Sequence, residues 1–273
     1  SAFYPTGGGQ EHDTGRMAGD KVVDVFDEGG RVVHVMPSVS FEEGDEVHGE
    51  IDFERRLQLS QHHTATHIIT GCAREHLGEH VWQAGASKTE EKARIDLTHY
   101  DSLSDADEQA IEELAQSVIA DNLPVEHRFY DRDVAESTYG FTIYQGGAVP
   151  GDEVRIVSVG DLDHEACGGT HVEVTGDVEH VKLVKSSKKQ DGVIRLEFLA
   201  GRRAKEKIEA ERETIDTLCD ELNCEDPALI PGRAEEVFSK WKDIRKDKLD
   251  EFEFESEERF DGDVIDEAAS RLK

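Results

Sequence analysis

The sequence is poor in cysteine and in basic residues, and it has no long apolar runs. Four cysteines in 273 residues are too few for a disulfide framework and fit a reducing compartment such as the cytoplasm. No apolar run approaches the roughly 18 residues that a membrane helix needs, and no charged segment followed by an apolar one resembles a signal peptide. These features predict a cytoplasmic protein without a membrane partner.

Basic residues are outnumbered two to one. The 31 Lys and Arg face 62 Asp and Glu, for a formal net charge of -31. Regular strand and helix patterns along most of the chain argue against disorder, so the acids are interpreted as a solvated coat. At about 1 M salt the Debye length falls to roughly 3 Å, and a coat of this kind is then tolerated. The composition therefore favours adaptation to concentrated salt and predicts that folding requires it.

The hydrophobic patterns predict an α+β protein in three parts. Two β-branched runs flank Gly29-Gly30 and predict a hairpin, which with a third strand near residues 47–53 makes a small β-barrel module over residues 1–53. Residues 54–203 mix helices and strands. Apolar stripes at helical spacing then predict a helical hairpin arm over residues 204–273, with a break near residues 223–231.

Within the central part the pattern gives two helices and several strands. One helix is expected over residues 55–77 with Gly78 as its C-terminal cap, and another from Ser104 to about residue 122, opened by a Ser104/Asp107 capping pair. The strands are expected near residues 93–97, 124–130, 154–159 and 193–198.

Two separated pairs of residues carry metal-type ligands. His63 and His67 stand one turn apart on the first of these helices, while Cys167 and His171, about a hundred residues later, flank two glycines that suit a tight loop. A helical His pair alone is more often solvated than ligating, and a lone Cys-x-x-x-His is weaker still. Together the four form a sulfur and nitrogen set that suits Zn²⁺. A zincin protease is excluded because its helix needs His-Glu-x-x-His, and Thr64 occupies the Glu position.

Five motifs in order resemble the editing region of alanyl-tRNA synthetases and their free-standing AlaX relatives. They are FYPTGGGQ at residues 3–10, DTG at 13–15, HTATH at 63–67, VWQAG at 81–85 and ACGGTH at 166–171. The resemblance covers residues 1 to about 203. A weaker similarity over residues 237–246 extends it to the helical segment that follows in archaeal enzymes, and the acidic composition then indicates a halophilic archaeon.

This resemblance implies a function. The family's editing site hydrolyses tRNA(Ala) wrongly charged with serine or glycine, and its HxxxH and CxxxH pairs bind zinc, here His63, His67, Cys167 and His171. It also implies roles in substrate handling for Gln83 and for the glycine-rich loop, Gly7, Gly8, Gly9 and Gln10. Nothing in the chain resembles the aminoacylation core, so ATP binding and alanine ligation are expected in a missing N-terminal part. The arm is expected to begin a truncated C-terminal region, and a homodimer through that region is compatible with the family.

Selective hydrolysis of a seryl ester needs a polar group that pairs with the serine hydroxyl and is left unsatisfied by alanine. Thr6 and Gln83 are the candidates, although a turn hydroxyl and an exposed strand amide are the plain alternatives. Lys182 and Lys185, in a basic cluster with Lys188 and Lys189, are candidates for tRNA phosphate, and a solvated hairpin edge explains them equally well.

Three hypotheses remain open from the sequence. The chain is an editing hydrolase within a synthetase, a free-standing AlaX-type enzyme acting in trans, or a zinc-stabilised tRNA-binding module without catalysis. Four protein ligands usually mark a closed structural zinc site, so the sequence leaves open whether the zinc is catalytic.

Overall fold

The computed structural model describes residues 1–144, 147, 149, 151–245 and 253–272, without the side chains of residues 242–244. The chain divides into two compact units, Ser1–Lys205 and Glu206–Lys273. Boundaries at residues 53 and 203 stay predictions. Helices and strands mix throughout the first unit, and this agrees with the predicted mixture of α and β structure.

Residues 1–53 form two small sheets and no closed barrel, so the barrel prediction was wrong. One sheet has the order β2-β1-β5, and the other is a β3-β4 hairpin around the predicted glycine turn. With three or four residues each, these strands are too short and too separately paired to close on one another. Their bounds are Gly15–Met17 (β1), Asp20–Val22 (β2), Asp24–Asp27 (β3), Val32–Val35 (β4) and Gly49–Ile51 (β5).

The described residues between 53 and 200 form two antiparallel sheets and three α-helices. One sheet has the order β11-β12-β7-β6 and the other β10-β9-β8. The helices are Phe53–Leu77 (α1), Asp105–Ala120 (α2) and Arg132–Tyr139 (α3). The strands are Gln83–Lys88 (β6), Ala93–Thr98 (β7), Val125–Asp131 (β8), Glu153–Val159 (β9), Asp163–Ala166 (β10), Val181–Gln190 (β11) and Val193–Ala200 (β12).

Helix α1 ends at Leu77 with the predicted Gly78 cap, and it begins at Phe53, two residues before the predicted start. The Asp52 side chain accepts a hydrogen bond from the Arg55 backbone N–H at 3.2 Å, and Gly78, at φ 115°, donates its backbone N–H to the carbonyl of Arg74. The capping pair of α2 is confirmed in both directions, from Ser104 to Asp107 and back.

The core of this unit lies between α1, α2 and the inner face of the four-stranded sheet. Its buried side chains include Ile68, Ile69, Ile95, Leu97, Ile111, Ile194, Leu196 and Phe198. A continuous run of α1, residues 58–73, is buried, although much of it is polar. An amphipathic helix buries only its apolar face. Because this part of α1 is buried on its polar sides as well, its polar side chains need hydrogen-bond partners within the protein.

The second unit is helical, as predicted, but it has one helix more than the hairpin. After α4 (Gly201–Glu221) and α5 (Ile230–Ile244) comes α6, Val264–Arg271, whose Asp263 cap accepts from two backbone N–H groups. Leu222, Leu229, Ile230, Val264 and Ala268 form its core. Val237, Trp241 and Ile244 form the apolar stripe that predicts the second helix of this arm, and the Ile244 side chain lies outside the described residues. Among the described residues, no helix combines the length and apolarity needed to cross a membrane.

Candidate metal centre

The four ligand residues named from the sequence meet at one point. The ligand-type atoms of His63, His67, Cys167 and His171 all lie within 4.8 Å of one another. Cys167 Sγ is 3.3 Å from His63 Nε2 and 3.4 Å from His171 Nε2. Helix α1 supplies the first pair, and the loop after β10 supplies the second. Such a set of one sulfur and three imidazole nitrogens is compatible with a bound metal ion.

Each imidazole is held by a neighbour at Nδ1. Gln10 Oε1 lies 2.7 Å from His63 Nδ1, Asp163 Oδ2 lies 2.8 Å from His67 Nδ1, and Thr64 Oγ1 lies 3.2 Å from His171 Nδ1. With Nδ1 engaged, the Nε2 atom of each ring is the one left to face Cys167. Histidines that ligate metals are oriented in this way, by an acceptor on the other ring nitrogen.

Gln10 joins the two halves of the cluster. It is 1% exposed, its amide Nε2 donates to Thr170 Oγ1 at 2.8 Å, and its Oε1 accepts from the Thr170 backbone N–H at 3.1 Å. The sequence placed Gln10 in the substrate loop. The structure places it against His63 and the Cys167 loop, a position in which it orients a ligand.

Strand β10 contributes two buried carboxylates that the sequence reasoning missed. Alternation along the strand sets Asp163 and Glu165 on one face, and Cys167 follows directly after the strand. Asp163 contacts both His67 and Arg74, and Glu165 Oε2 lies 3.5 Å from His67 Nδ1. Asp163 and Glu165 with His67 also form a second group that could hold a metal. Because Arg74 and His67 already engage Asp163, this group is better explained as support for His67.

The electrostatics of the cluster favour a thiolate. Burial alone would raise the pKa of Cys167, but the nearby histidines His63, His171 and His67 outweigh it and lower that pKa well below its usual value. Burial lowers the pKa of His63 far below normal and that of His171 to about 4, so both rings are neutral at pH 7. Burial also raises the pKa of Glu165 to about 8. Burial alone would lower the pKa of His67, but Glu165 and the hydrogen bond to Asp163 outweigh it and raise that pKa well above its usual value. Because a metal binds a thiolate and neutral imidazoles, an ion entering the cluster would displace a proton from His67.

The loop that carries Cys167 is fixed by Arg155 of β9. Its Nη1 donates to the carbonyls of Cys167 at 2.7 Å and of Gly169 at 3.1 Å. Gly169 packs so closely on His63 that a Cβ there would overlap the imidazole ring, whereas a Cβ on Gly168 would meet nothing within 4 Å. Only the second of the two glycines is therefore required by contact.

The glycine-rich loop docks on the end of β6. Gly7 and Gln10 pair in a tight turn, and Gln10 pairs with Lys88 in a parallel bridge. Gly9, at φ 75°, lies where a Cβ would overlap the Ala86 carbonyl. Tyr4 donates its hydroxyl to the Gly7 carbonyl at 3.0 Å. This loop therefore lies beside the cluster through Gln10.

Lys88 was missed by the sequence reasoning, although it is among the largest fully buried side chains of the described residues. It is 1% exposed, and its Nζ donates to the Gly8 carbonyl at 2.8 Å. Burial lowers its pKa to about 8, while the charges of Cys167 and Glu165 act in the opposite direction. A buried ammonium is costly unless it is well paired, and nothing in the sequence pattern of β6 distinguished this lysine from a surface one.

We expect Lys88→Met to separate stability from function. Replacing the buried lysine by an apolar chain of similar length removes the desolvation cost of the ammonium but leaves the Gly8 carbonyl without this bond, so the melting temperature should change little. Loss of the Nζ bond should loosen the Gly8 carbonyl, so turnover of the site's substrate should fall roughly tenfold, the effect of one charge-assisted hydrogen bond. Thermal unfolding and turnover are measured with the exposed Lys207→Met as control. A lower melting temperature with unchanged turnover would show that Lys88 serves folding only.

The remaining residues named from the sequence are less central in this geometry. Thr6 is exposed, with its Oγ1 3.1 Å from His12 Nδ1. Gln83 is half-buried at the start of β6, opposite Leu97. Of the lysines, Lys182 pairs with Glu112 at 3.3 Å, and Lys185 is exposed on β11. Thr6 and Gln83 as serine sensors, and Lys182 and Lys185 as phosphate contacts, stay predictions.

Residues 154–197, which include the Cys167 loop, match the second additional domain of threonyl- and alanyl-tRNA synthetases. Over 89% of its length the chain is similar to proteins named alanine–tRNA ligase. Identity is 41% with that of Methanococcus maripaludis, 44% with that of Methanopyrus kandleri and 45% with that of Natronomonas pharaonis.

The fold and the cluster thus occur in a chain that carries a tRNA synthetase accessory domain. The chain is homologous to a section of the archaeal alanine–tRNA ligases. It spans about 27% of the length of these relatives.

Proposed function

We propose that this chain is the editing part of an alanyl-tRNA synthetase, which hydrolyses tRNA(Ala) carrying serine or glycine at a zinc site. Alanine ligation with ATP would belong to other parts of such an enzyme. The observation that carries the proposal is the arrangement of His63, His67 and His171, each held at Nδ1 so that Nε2 is directed to Cys167. The similarity to alanine–tRNA ligases supports the choice of substrate.

The chemistry of the donors supports zinc. Three imidazoles and one thiolate form a ligand set that favours zinc over Mg²⁺ and Ca²⁺, because those two ions take oxygen ligands. His63, His67, Cys167 and His171 would hold the ion. Bound zinc would supply a Lewis acid that polarises an ester carbonyl or lowers the pKa of a water.

The residues around the cluster account for positioning and for a hydrogen-bond acceptor. In the proposed reaction, water adds to the aminoacyl ester and the acyl–oxygen bond breaks, which releases free amino acid and restores the ribose hydroxyl of the tRNA. Glu165 Oε1 is buried and has no hydrogen-bond partner among the described residues. It is therefore available to accept a hydrogen bond from a water at the cluster. Gln10 and Arg155 keep His63 and the Cys167 loop in place.

A second candidate is a zinc-stabilised tRNA-binding module without catalysis. Four protein ligands would fill a tetrahedral site, and closed sites of this kind are usually structural. The deciding experiment measures zinc content and the deacylation of seryl-tRNA(Ala), glycyl-tRNA(Ala) and alanyl-tRNA(Ala) in concentrated KCl. Stoichiometric zinc with selective release of serine or glycine supports editing. Zinc with tRNA binding and no release supports the module.

The free-standing AlaX alternative is tested on the gene rather than on the protein. An open reading frame that continues upstream into an aminoacylation core supports editing in cis. A halophilic source also remains a proposal. The relative from Natronomonas pharaonis is only one of several similar chains and does not decide the source. A homodimer and a cytoplasmic location are proposed on the family resemblance alone.

Selectivity should change when Thr6 or Gln83 is replaced. Thr6→Val keeps the shape and removes the hydroxyl, so we expect hydrolysis of alanyl-tRNA(Ala) to rise relative to seryl-tRNA(Ala), because a site that must pair with a hydroxyl discriminates by roughly 10⁴-fold. Gln83→Ala should lower seryl-tRNA hydrolysis more generally. Zinc content should stay unchanged in both.

Deacylation kinetics on both charged tRNAs measure this effect. The matched controls are Thr138→Val and Gln190→Ala, which replace exposed residues elsewhere in the first unit. If the serine-to-alanine ratio stays at the control value in both variants, the selectivity resides in other residues.

A further inference from the structure

The outer face of the four-stranded sheet is rich in basic side chains. Residues paired in register share a face, and Arg195 lies opposite Asp96 while Glu197 lies opposite Arg94. The alternate residues of β12, Ile194, Leu196 and Phe198, are buried in the core. The charged set therefore lies on the side of the sheet that α1 and α2 do not cover.

Asp96 is the hub of this face. Its carboxylate is bound by Lys189 Nζ at 2.6 Å, by Arg195 Nε at 2.7 Å and by Arg94 Nη1 at 3.2 Å. The Asp96 side chain is 1% exposed, whereas those of Lys189 and Arg94 are 41% and 36% exposed. One carboxylate cannot neutralise three cations, so positive charge remains and faces solvent.

Neighbouring residues add to the excess of positive charge on this face. Lys185 on β11 lies opposite Glu197 and is exposed, and Lys92, just before β7, pairs with Glu197 at 2.6 Å. We define the cationic face as the five basic side chains with their two carboxylates: Lys92, Arg94, Lys185, Lys189 and Arg195 with Asp96 and Glu197. Bases outnumber acids here, while acids outnumber bases two to one in the whole chain.

Stability alone gives a poor account of this arrangement. Pairing explains how Asp96 is tolerated as a buried carboxylate, but three cations on one carboxylate repel one another, and the largely exposed pair of Lys92 with Glu197 contributes only about 0–1 kcal/mol. In contrast, basic side chains that are fixed in place and only partly neutralised by carboxylates are suited to bind a polyanion, because its phosphates neutralise the remaining positive charge. Strand β6 of the same sheet carries Gln83 and Lys88, next to the glycine-rich loop.

We propose that the cationic face binds the phosphate backbone of the tRNA whose charged end enters the metal centre. This inference rests on the proposed function, which supplies the polyanion. In concentrated salt the Debye length is about 3 Å, so distant carboxylates no longer repel the tRNA and only charges in contact with it count. A local surplus such as this one is then sufficient despite the net charge of -31.

The test compares two double variants of the full chain. Lys185→Gln with Lys189→Gln removes two exposed cations of the face, and Lys21→Gln with Lys207→Gln removes two exposed lysines elsewhere. The dissociation constant for uncharged tRNA(Ala) is measured over a range of KCl concentrations that keep the protein folded by circular dichroism. Deacylation of seryl-tRNA(Ala) is measured in parallel.

We expect the face variant to bind tRNA roughly tenfold more weakly at the lowest usable salt, and the slope of log K against log salt to fall by about one per lost phosphate contact. Its KM should rise while kcat and zinc content stay unchanged. Equal affinity and slope in both double variants, or a wild-type chain that binds no tRNA at any salt concentration, would overturn the inference.

The two proposals fail separately. A wild-type chain that binds tRNA through the face without releasing serine or glycine contradicts editing and leaves the face intact. A chain that edits, with tRNA affinity insensitive to Lys185 and Lys189, contradicts the face alone.

Discussion

Gly169→Ala is expected to abolish stoichiometric metal binding, while Gly168→Ala leaves it intact. A Cβ at residue 169 would overlap the His63 ring and press on Gln10, whose Oε1 lies 3.0 Å from the position that the added methyl group would occupy, whereas at residue 168 it enters open space. Displacing His63 breaks both its Nδ1 bond and the approach of Nε2 to Cys167. Loss of such a supporting contact typically costs 10–100-fold in metal affinity.

The pair of glycine variants is a sharp comparison because the two residues are adjacent and of identical chemistry. Metal content by atomic emission and binding of a cobalt probe, read from its thiolate absorption, measure the outcome in the absence of any substrate. Equal metal content in the two variants would mean that His63 is not a ligand in the arrangement described.

Cys167→Ala should remove metal and deacylation together. Cys167 is the one thiolate of the cluster and touches two of its imidazoles, so its loss leaves three rings without a sulfur partner. We expect zinc below one tenth of stoichiometric, a lower melting temperature because metal binding stabilises the folded state, and seryl-tRNA hydrolysis reduced at least about 100-fold. Prolonged chelation of the unmodified chain should reproduce all three changes.

Cys219→Ala serves as the control, since Cys219 is a half-buried free cysteine of the helical unit. A Cys167→Ala variant that retains stoichiometric zinc contradicts the metal centre. One that loses zinc and keeps full deacylation contradicts a catalytic role for the metal while leaving a structural one.

Local signals in the sequence carried most of the predicted elements. The Gly29-Gly30 turn, the Ser104/Asp107 capping pair and the Gly78 cap are chemical features of a few adjacent residues, and each was confirmed. The barrel failed because closure depends on strand length and on long-range pairing, which composition does not encode. Helix α6 was missed because a helix of eight residues offers too short a pattern.

The candidate metal centre also combines residues that local sequence patterns reveal with residues that they do not. Ligand pairs with x-x-x spacing are visible in the sequence, but their supports are not. Gln10 and Asp163 reach His63 and His67 across 53 and 96 residues of chain, and no periodicity relates such positions. One signal was available: Asp163 and Glu165 occupy alternate positions just before Cys167, and acidic residues at alternate positions of a strand share one face.

Helix α1 has a consequence for how the first unit assembles. Its buried surface includes Gln58, Gln61, His62 and Thr64, and their partners lie in distant segments, such as the Ala200 carbonyl for Gln58 and the Asp177 carbonyl for Gln61. Before those segments are in place, burial of α1 would leave polar groups unpaired. The helix that bears half of the candidate metal ligands therefore depends for its stability on several distant segments at once, so a partly folded chain would lack an organised cluster.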